Sequence, residues 1–312
     1  MQFDAVLLIA FGGPEKMEDV RPFLANVTRG RPIPPQRLEE VVQHYALFNG
    51  RSPLTEITFR QAKALQALLD RGGLPLPVYV GMRNWRPYLQ ETVQQMAANR
   101  VKHALGFILS AQQSEAGWER YQQDVTLACA QVGPQAPVMK YTAGWHDHPL
   151  FINAVADLTR QAFEQITPER RASVPLIFTA HSVPTALTST PTYVQQIATG
   201  ARLVSERLRR AQWLVAYQSR SGDPRTPWLE PDIKVVLQQL AAQGVREVVV
   251  SPIGFVCDHI EVLYDLDTQA RQIAKRQHLR MVRAGTVNDH PLFIRMLADV
   301  VRRRVAAERD EA

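Results

Sequence analysis

Short, continuous apolar runs recur along the chain and predict the strands of a buried sheet. Val, Ile, Leu and Ala fill these runs without the alternation of a half-exposed strand, which is typical of strands covered on both faces of a parallel sheet. The predicted strands span residues 4–11, 77–82, 103–110, 137–143, 174–180, 212–218, 246–252 and 279–283.

Longer amphipathic segments separate these runs and predict helices. They span residues 54–72, 86–99, 115–132, 149–165, 191–210, 231–243, 258–277 and 291–308. Regular alternation of strand and helix is typical of doubly wound α/β proteins. The predicted fold class is therefore α/β, with parallel sheets flanked by helices.

An internal echo divides the pattern into two halves. Residues 147–157 read DHPLFINAVAD and residues 289–299 read DHPLFIRMLAD. In each, an Asp precedes His-Pro at a helix start, where a side-chain acceptor and the fixed φ of proline suit the first turn. A weaker echo relates VKHALGFILS at 101–110 to VREVVVSPIG at 245–254. We predict two Rossmann-like lobes, residues 1–145 and 146–312, with a ligand cleft facing the carboxyl ends of their strands.

Composition narrows the class of protein. The 312 residues are 46% hydrophobic and 21% charged, enough for a sizeable core and against a disordered chain. No apolar run approaches the ~18 residues of a spanning helix, and the first ten residues lack a basic leader. Two cysteines, Cys129 and Cys257, make no disulfide framework, so a reducing, cytoplasmic setting is expected.

The chain is basic, and most of its positive charge comes from arginine. The net charge is +6, and 30 Arg stand against 6 Lys. Genomic base composition explains such a bias, and so does an anionic partner, because guanidinium matches carboxylate and phosphate geometry. No nucleic-acid-binding motif occurs, so we expect no nucleic-acid partner.

Candidate chemistry follows two of the predicted strands. His181 and Ser182 follow the strand at 174–180, and the strand at 246–252 leads to Asp258, His259, Glu261, Asp265 and Asp267. Glu261 and Asp265 are four residues apart and share one helical face. Two carboxylates and an imidazole suit a divalent first-row metal ion, although helix capping and structural hydrogen bonding also explain such residues.

A second set of candidates lies in the first lobe. Gly12 and Gly13 follow the first strand, where the absence of a Cβ would let a flat ligand approach the backbone. Arg29 and Arg31 occupy a proline-rich segment suited to carboxylates, and Ser52 lies in a turn. A solvated loop explains the arginines equally well.

These motifs together resemble the ferrochelatase family over residues 3 to about 300. The resemblance rests on LLIAFGGPE, NVTRGR, HYALFNGRSPL, MRNWRPY, FTAHSVP, YQSRSGDPRTPWLEPD and SPIGFVCDHIEVLYDLD, in this order. Its nearest branch is that of bacterial coproporphyrin III ferrochelatases. The resemblance implies the class II chelatase fold and insertion of Fe²⁺ into a porphyrin in heme biosynthesis.

The resemblance also implies roles for individual residues. His181 and Glu261 match the catalytic, metal-binding pair, and Asp265 matches a further carboxylate of the metal or proton path. The next position of that path, commonly acidic in the family, is Gln269 here, so the path would be truncated or differently lined. Arg29, Ser52 and Tyr121 match positions that hold porphyrin propionates. Phe11 stands where Gram-positive members have an iron-ligating tyrosine, and His44 stands at the position of a porphyrin-binding arginine.

The implied partners are porphyrin and ferrous iron, with Fe²⁺ as a substrate and no prosthetic group. Four cysteines bind a [2Fe-2S] cluster in some relatives, and the two cysteines here predict no such cluster. We expect a cytoplasmic monomer with no integral membrane segment, and upstream or downstream heme-pathway enzymes as further partners. The alternatives are a protoporphyrin IX ferrochelatase, a cobalt chelatase and a non-catalytic porphyrin or heme carrier.

Overall fold

The structure, a computed structural model, describes residues 2–30, 33–221 and 225–310. The chain forms two compact units. Unit 1 comprises Met1–Ser110, Glu115–Trp145 and Asp289–Ala312, and unit 2 comprises Ala111–Ser114 and His146–Asn288.

Among the described residues, eight parallel strands form two sheets, one in each unit, and every predicted strand is present. In unit 1 the order is β2-β1-β3-β4, and in unit 2 it is β6-β5-β7-β8. The strands are β1 (Ala5–Ala10), β2 (Val78–Met82), β3 (His103–Ile108), β4 (Val138–Tyr141), β5 (Leu176–His181), β6 (Trp213–Gln218), β7 (Glu247–Ser251) and β8 (Arg280–Arg283). The predicted α/β class with parallel sheets is confirmed.

Helices connect the strands. They are α1 (Met17–Val27), α2 (Pro35–Ala46), α3 (Leu54–Arg71), α4 (Leu89–Ala98), α5 (Arg120–Val132), α6 (Pro149–Glu164), α7 (Pro168–Arg171), α8 (Thr190–Leu208), α9 (Ile233–Ala242), α10 (Ile260–Val262), α11 (Arg271–Arg276) and α12 (Pro291–Asp310). Two π-helical segments, Glu115–Glu119 and Leu263–Ala270, lead into α5 and α11.

Helices α1, α2 and α7 are not among the helices predicted from the sequence. Pro22 lies inside α1, and Pro34 and Pro35 begin α2, so residues that usually signal a loop stand within or beside these helices. The apolar spacing of Val20, Phe23 and Leu24, all buried, is the signal that identifies α1.

The last helix belongs to unit 1 and not to the second lobe, where residues 289–312 were predicted to lie. Phe293 of α12 packs against Trp145, with ring centroids 5.8 Å apart. Lys140 of β4 forms an ion pair with Glu308, and Arg302 donates to the Leu68 carbonyl at 2.7 Å. These contacts bury one face of α12 against unit 1.

The echo at the starts of α6 and α12 reflects capping by histidine. His148 Nδ1 accepts a hydrogen bond from the Leu150 amide at 3.2 Å, and His290 Nδ1 accepts one from the Leu292 amide at the same distance. The acceptor is thus the histidine and not the preceding aspartate that the sequence suggested.

Candidate active site

The candidate site lies in unit 2, at the carboxyl ends of β5 and β7. Because β6 and β7 flank β5 on opposite sides, the order of strands reverses beside β5. Ligands of open parallel sheets bind at such a reversal, outside the carboxyl ends of the strands. His181 ends β5, and Glu261 lies in α10, the first helix after β7.

A close backbone contact brings the two segments together. The Gly254 amide, just after β7, donates to the Thr179 carbonyl at 3.0 Å. A Cβ on Gly254 would lie 2.5 Å from the Cβ of Ala180, the residue before His181. Only glycine allows this approach, and it directs the chain from β7 past the end of β5.

The His181 ring is oriented by backbone atoms. Its Nδ1 lies 2.5 Å from the Ser182 carbonyl oxygen, which only accepts, so Nδ1 carries the proton in this arrangement. The Tyr193 hydroxyl donates to the His181 carbonyl at 3.0 Å and fixes the backbone. Nε2 is left with its lone pair directed into the site, 3.6 Å from Glu261 Oε2.

Glu261 lies between two imidazoles. Its Oε2 is 3.6 Å from His181 Nε2 and 3.5 Å from His259 Nε2. Desolvation acts to raise the pKa of Glu261, but when the two imidazoles are protonated, the charge of His181 and the hydrogen bond and charge of His259 outweigh it and lower the pKa to about 2. The Glu261 side chain remains 46% exposed, so it is an ionised carboxylate that a cation can reach.

Asp265 lies in the π-helical segment that follows α10. Burial raises the pKa of Asp265 to about 6, and the charge of Glu261 adds to the rise, although a hydrogen bond from Ser219 opposes it. Ser219 follows β6, so three strands contribute to the site. π-Helical turns often mark functional sites. The site therefore holds one carboxylate that is ionised at neutral pH and one whose pKa of about 6 lets it exchange a proton.

Replacement of Asp265 by Asn is expected to stabilise the protein at high pH only. Because the folded pKa of Asp265 is raised, its favourable contribution is complete below the unfolded value of 3.8 and is lost as pH rises through about 6. We expect Asp265→Asn to unfold with a free energy about 1–2 kcal/mol higher than the parent at pH 7.5, after screening. Near pH 4 the difference should shrink to less than half. Urea denaturation at both pH values measures it, and an equal difference at both would contradict the titration.

The neighbouring candidates Asp258 and Asp267 turn away from the site. Both bind Arg283, at 3.0 Å and 2.8 Å, and the Arg283 side chain is only 12% exposed. The Ser182 hydroxyl donates to the Leu229 carbonyl at 2.9 Å and is buried. These three candidates have structural roles, as the capping and hydrogen-bonding interpretation allows.

Loss of the Arg283 ion pairs is expected to destabilise unit 2. Arg283→Leu leaves the largely buried Asp258 without a counter-charge and Asp267 with only the exposed Arg271 at 3.1 Å, which costs about 3 kcal/mol. The matched control is Arg303→Leu, because Arg303 pairs with Asp299 but is 73% exposed, and we expect a change below about 0.5 kcal/mol. Chemical denaturation compares the two variants, and equal losses would contradict the assignment.

The donor atoms of His181 and Glu261 suit a metal ion that binds and is then released. Imidazole nitrogen and carboxylate oxygen are ligands for divalent first-row ions. Within residues 2–30, 33–221 and 225–310, no three His, Cys, Asp or Glu side chains form a preformed metal cage. An open, partly exposed donor pair can take up a cation and release it to another ligand.

In unit 1, a chain of hydrogen bonds links Arg29 to Phe11. Arg29 is exposed and donates to Asn26 Oδ1 at 2.8 Å, and Asn26 Nδ2 donates to the Asn84 carbonyl at 3.2 Å. The Asn84 amide donates to the Phe11 carbonyl at 3.0 Å. The Phe11 ring packs edge-on against Phe23 at 6.1 Å. Arg31 lies outside the described residues.

The other expected porphyrin contacts in unit 1 are less accessible. Ser52 is 4% exposed and Tyr121 is 9% exposed, so each residue offers only a small surface to a ligand. A Cβ on Gly13 would lie 2.7 Å from Ser52 Cβ, so this glycine makes room for the chain itself and not for a flat ligand. Half-buried His44 lies on α2, and burial lowers the pKa of its imidazole.

Several residues of these sites were missed from the sequence. Arg83 follows β2, lies 5.6 Å from the Tyr121 ring centroid and forms an ion pair with Asp124. In unit 2, Ser219 and Tyr193 hold Asp265 and the His181 backbone. Arg83 and Ser219 each stand directly after a predicted strand, which is the signal that identifies them. Tyr193 lies within a helix and has no such signal.

Two solved chelatase structures share this fold. SirB from Bacillus subtilis with Fe³⁺ superposes with a TM-score of 0.61 at 10% identity, covering 98% of this chain and 97% of that one. CbiX, described as the terminal enzyme for biosynthesis of siroheme in denitrifying bacteria, gives 0.56 at 13% identity, covering 96% and 98%. At these identities the likeness shows the fold alone, which is the predicted class II chelatase fold.

Sequence comparison gives the family. The Ferrochelatase family profile matches residues 3–305. The coproporphyrin III ferrochelatase of Nocardia farcinica is 44% identical over 97% of this chain and 88% of its own length, and that of Mycolicibacterium smegmatis is 43% identical over 96% and 89%. A ferrochelatase of Rhodopirellula baltica is 39% identical over 97% and 86%. The chain belongs to the ferrochelatase family.

Proposed function

We propose that the protein inserts ferrous iron into coproporphyrin III and releases Fe-coproporphyrin III, or coproheme. The observation that carries this proposal is the His181–Glu261 pair at the carboxyl edge of unit 2, with Asp265 beside it. Iron insertion replaces two pyrrole N–H protons by one Fe²⁺, so the site needs a metal ligand and proton acceptors together.

The residues of unit 2 divide this work. His181 Nε2 offers a lone pair to Fe²⁺ or to a pyrrole proton, and Glu261 balances the positive charge that results. Asp265 titrates near pH 6 and takes a proton onward from the site. Gln269 carries a neutral amide, which donates to the Tyr264 hydroxyl at 3.3 Å. The carboxylates of the path therefore end at Asp265.

In unit 1, Arg29 is exposed and holds a propionate, with Ser52 and Tyr121 as further contacts after local rearrangement. His44 adds a contact that strengthens on protonation. Phe11 packs against the macrocycle and, having no oxygen or nitrogen in its side chain, adds no axial ligand. Coproporphyrin III carries four propionates and protoporphyrin IX two, so the coproporphyrin uses more of these polar contacts. The named relatives from Nocardia and Mycolicibacterium support the same choice.

Parallel metalation assays test the substrate. Anaerobic Fe²⁺ is added to the protein with coproporphyrin III or protoporphyrin IX, and visible absorption follows metal insertion. We expect a higher kcat/KM for coproporphyrin III. Faster protoporphyrin turnover would overturn the choice of substrate, and no turnover with either porphyrin would favour a carrier. Insertion of cobalt into a sirohydrochlorin-like ring alone would favour a cobalt chelatase.

We infer that the enzyme works without a prosthetic group, as a monomer in the cytoplasm, and passes its product to other heme-pathway enzymes. Cys257 is buried, which raises the pKa of its thiol to about 12, and Cys129 is half-buried in the other unit. Two such thiols do not supply the four thiolates of an iron–sulfur cluster. No helix among the described residues has the length and apolar character needed to cross a bilayer.

A further inference from the structure

The positive charge of the chain is concentrated at one edge of unit 2. Four segments lead into its strands: residues 166–175 before β5, 206–213 before β6, 243–247 before β7 and 275–280 before β8. Together they contain nine Arg or Lys and three Glu, a net charge of +6 that equals the net charge of the whole chain. We call these four segments the basic edge.

The strand topology places these segments side by side. All strands of unit 2 are parallel, so their amino ends lie along one edge of the sheet. Strands are spaced ~4.8 Å apart, which spreads the charge over about 15 Å of sheet edge. The segments at the same positions before the strands of unit 1 are residues 1–4, 71–78, 99–103 and 133–138. Their charged side chains are Arg71, Arg100, Lys102 and Asp4, a net charge of only +2. The concentration is therefore particular to unit 2.

Hydrogen bonds tie the basic edge together. Arg280 donates to the Gln165 carbonyl at 2.7 Å and binds Glu247 at 3.0 Å, and Arg170 binds the same carboxylate at 3.2 Å. Glu247 is only 6% exposed, so its charge is neutralised within the protein by these two arginines. Arg209, Arg246, Lys275 and Arg276 are exposed or half-exposed and are left to face solvent.

We propose that the basic edge docks the protein on an anionic lipid bilayer. Among the described residues, every large apolar side chain that is exposed lies outside these four segments. The basic edge therefore lacks the apolar centre of a stable protein–protein interface. Its aromatic rings are occupied: Arg210 covers Phe163 at 3.8 Å, and Trp213 packs on Phe178 at 6.0 Å. Neither ring is therefore left for a single-stranded nucleic acid to stack on.

Docking in this orientation leaves the candidate site free. His181 lies at the other end of the same parallel sheet, about 20 Å along a six-residue strand, and faces away from the lipid. With the carboxyl edge of the sheet turned to solvent, a porphyrin dissolved in water reaches the candidate site while the protein is docked. This last step rests on the proposed function, whereas docking itself does not.

Vesicle sedimentation tests the proposal with the whole chain. We expect binding to phosphatidylcholine vesicles only when they contain phosphatidylglycerol, and release at ~0.5 M NaCl because salt screens the attraction. The triple variant Arg209→Gln/Arg246→Gln/Arg276→Gln should bind about 100-fold more weakly, since each basic side chain near an anionic surface contributes about fivefold. Iron insertion without vesicles should be unchanged.

The control is the triple variant Arg100→Gln/Arg295→Gln/Arg309→Gln in unit 1. These side chains are also exposed, the change in net charge is the same, and Arg100 has the left-handed backbone of Arg209, with φ 60° against 54°. It should bind vesicles like the parent. The proposal is overturned if the parent does not bind anionic vesicles, if both variants lose equally, or if duplex DNA or polyglutamate displaces the protein from them at equal charge. Vesicle binding without chelatase activity would refute the proposed function alone.

Discussion

His181→Ala is expected to abolish most iron insertion while the protein still binds coproporphyrin III. The substitution removes the His181 ring nitrogen that lies 3.6 Å from Glu261 and keeps the strand, because Tyr193 holds the backbone carbonyl of residue 181 and not the imidazole. Loss of a group that takes up a proton lowers a rate by about 10²–10⁴-fold. We expect a fall of about 10³-fold in kcat and a change in porphyrin Kd below about twofold.

Anaerobic absorption assays give the rate, and quenching of tryptophan fluorescence by the porphyrin gives the Kd. His278→Asn is a matched control, because His278 is an exposed histidine of the same unit with φ 53°, a conformation that asparagine tolerates. A His181→Ala variant that inserts iron at the parental rate would remove this histidine from the mechanism.

Glu261→Gln is expected to have the second-largest effect. Glutamine keeps the size of the side chain and its contact with His259 but removes the charge, whose ionisation two imidazoles favour. Fe²⁺ and a protonated His181 then lose their common counter-charge. We expect kcat to fall about 100-fold and the KM for Fe²⁺ to rise, with porphyrin binding unchanged.

Glu261→Asp retains the charge on a shorter side chain and should fall between the parent and the Gln variant. Glu206→Gln serves as the control, since Glu206 is 57% exposed and pairs with Arg202 within its own helix. If the Gln variant and the parent share one KM for iron, Glu261 does not act on the metal.

The strands of this fold are readable from sequence because both faces of each sheet are covered. A short, continuous apolar run such as residues 5–10, which is completely buried, is typical of a strand covered on both faces. The position of α12 is not readable in this way. Its apolar stripe fits a helix of either unit, and the contact between Phe293 and Trp145 joins residues almost 150 positions apart.

The candidate site was predictable in part. His181 and Glu261 stand after buried strands, and parallel strands bring their carboxyl ends to one edge. The π-helical segment Leu263–Ala270 has no such signal, because its buried residues, Leu266 and Ala270, have the spacing of an ordinary helix face. The roles of Asp258 and Asp267 were also hidden, because Arg283 comes from β8, the last strand.

The two units share one strand order, so equivalent positions can be compared, and one such pair of positions differs in its chemistry. Aligning β3 with β7 at their first residues, His103 and Glu247, gives Val6 and Leu176 equivalent strand partners. Five residues further on, Phe11 occupies the place of His181. A doubled fold thus presents a reactive imidazole in one copy and an inert ring in the other. The unit that carries Phe11 is therefore free to specialise in recognition, because this position demands no metal or proton chemistry from it.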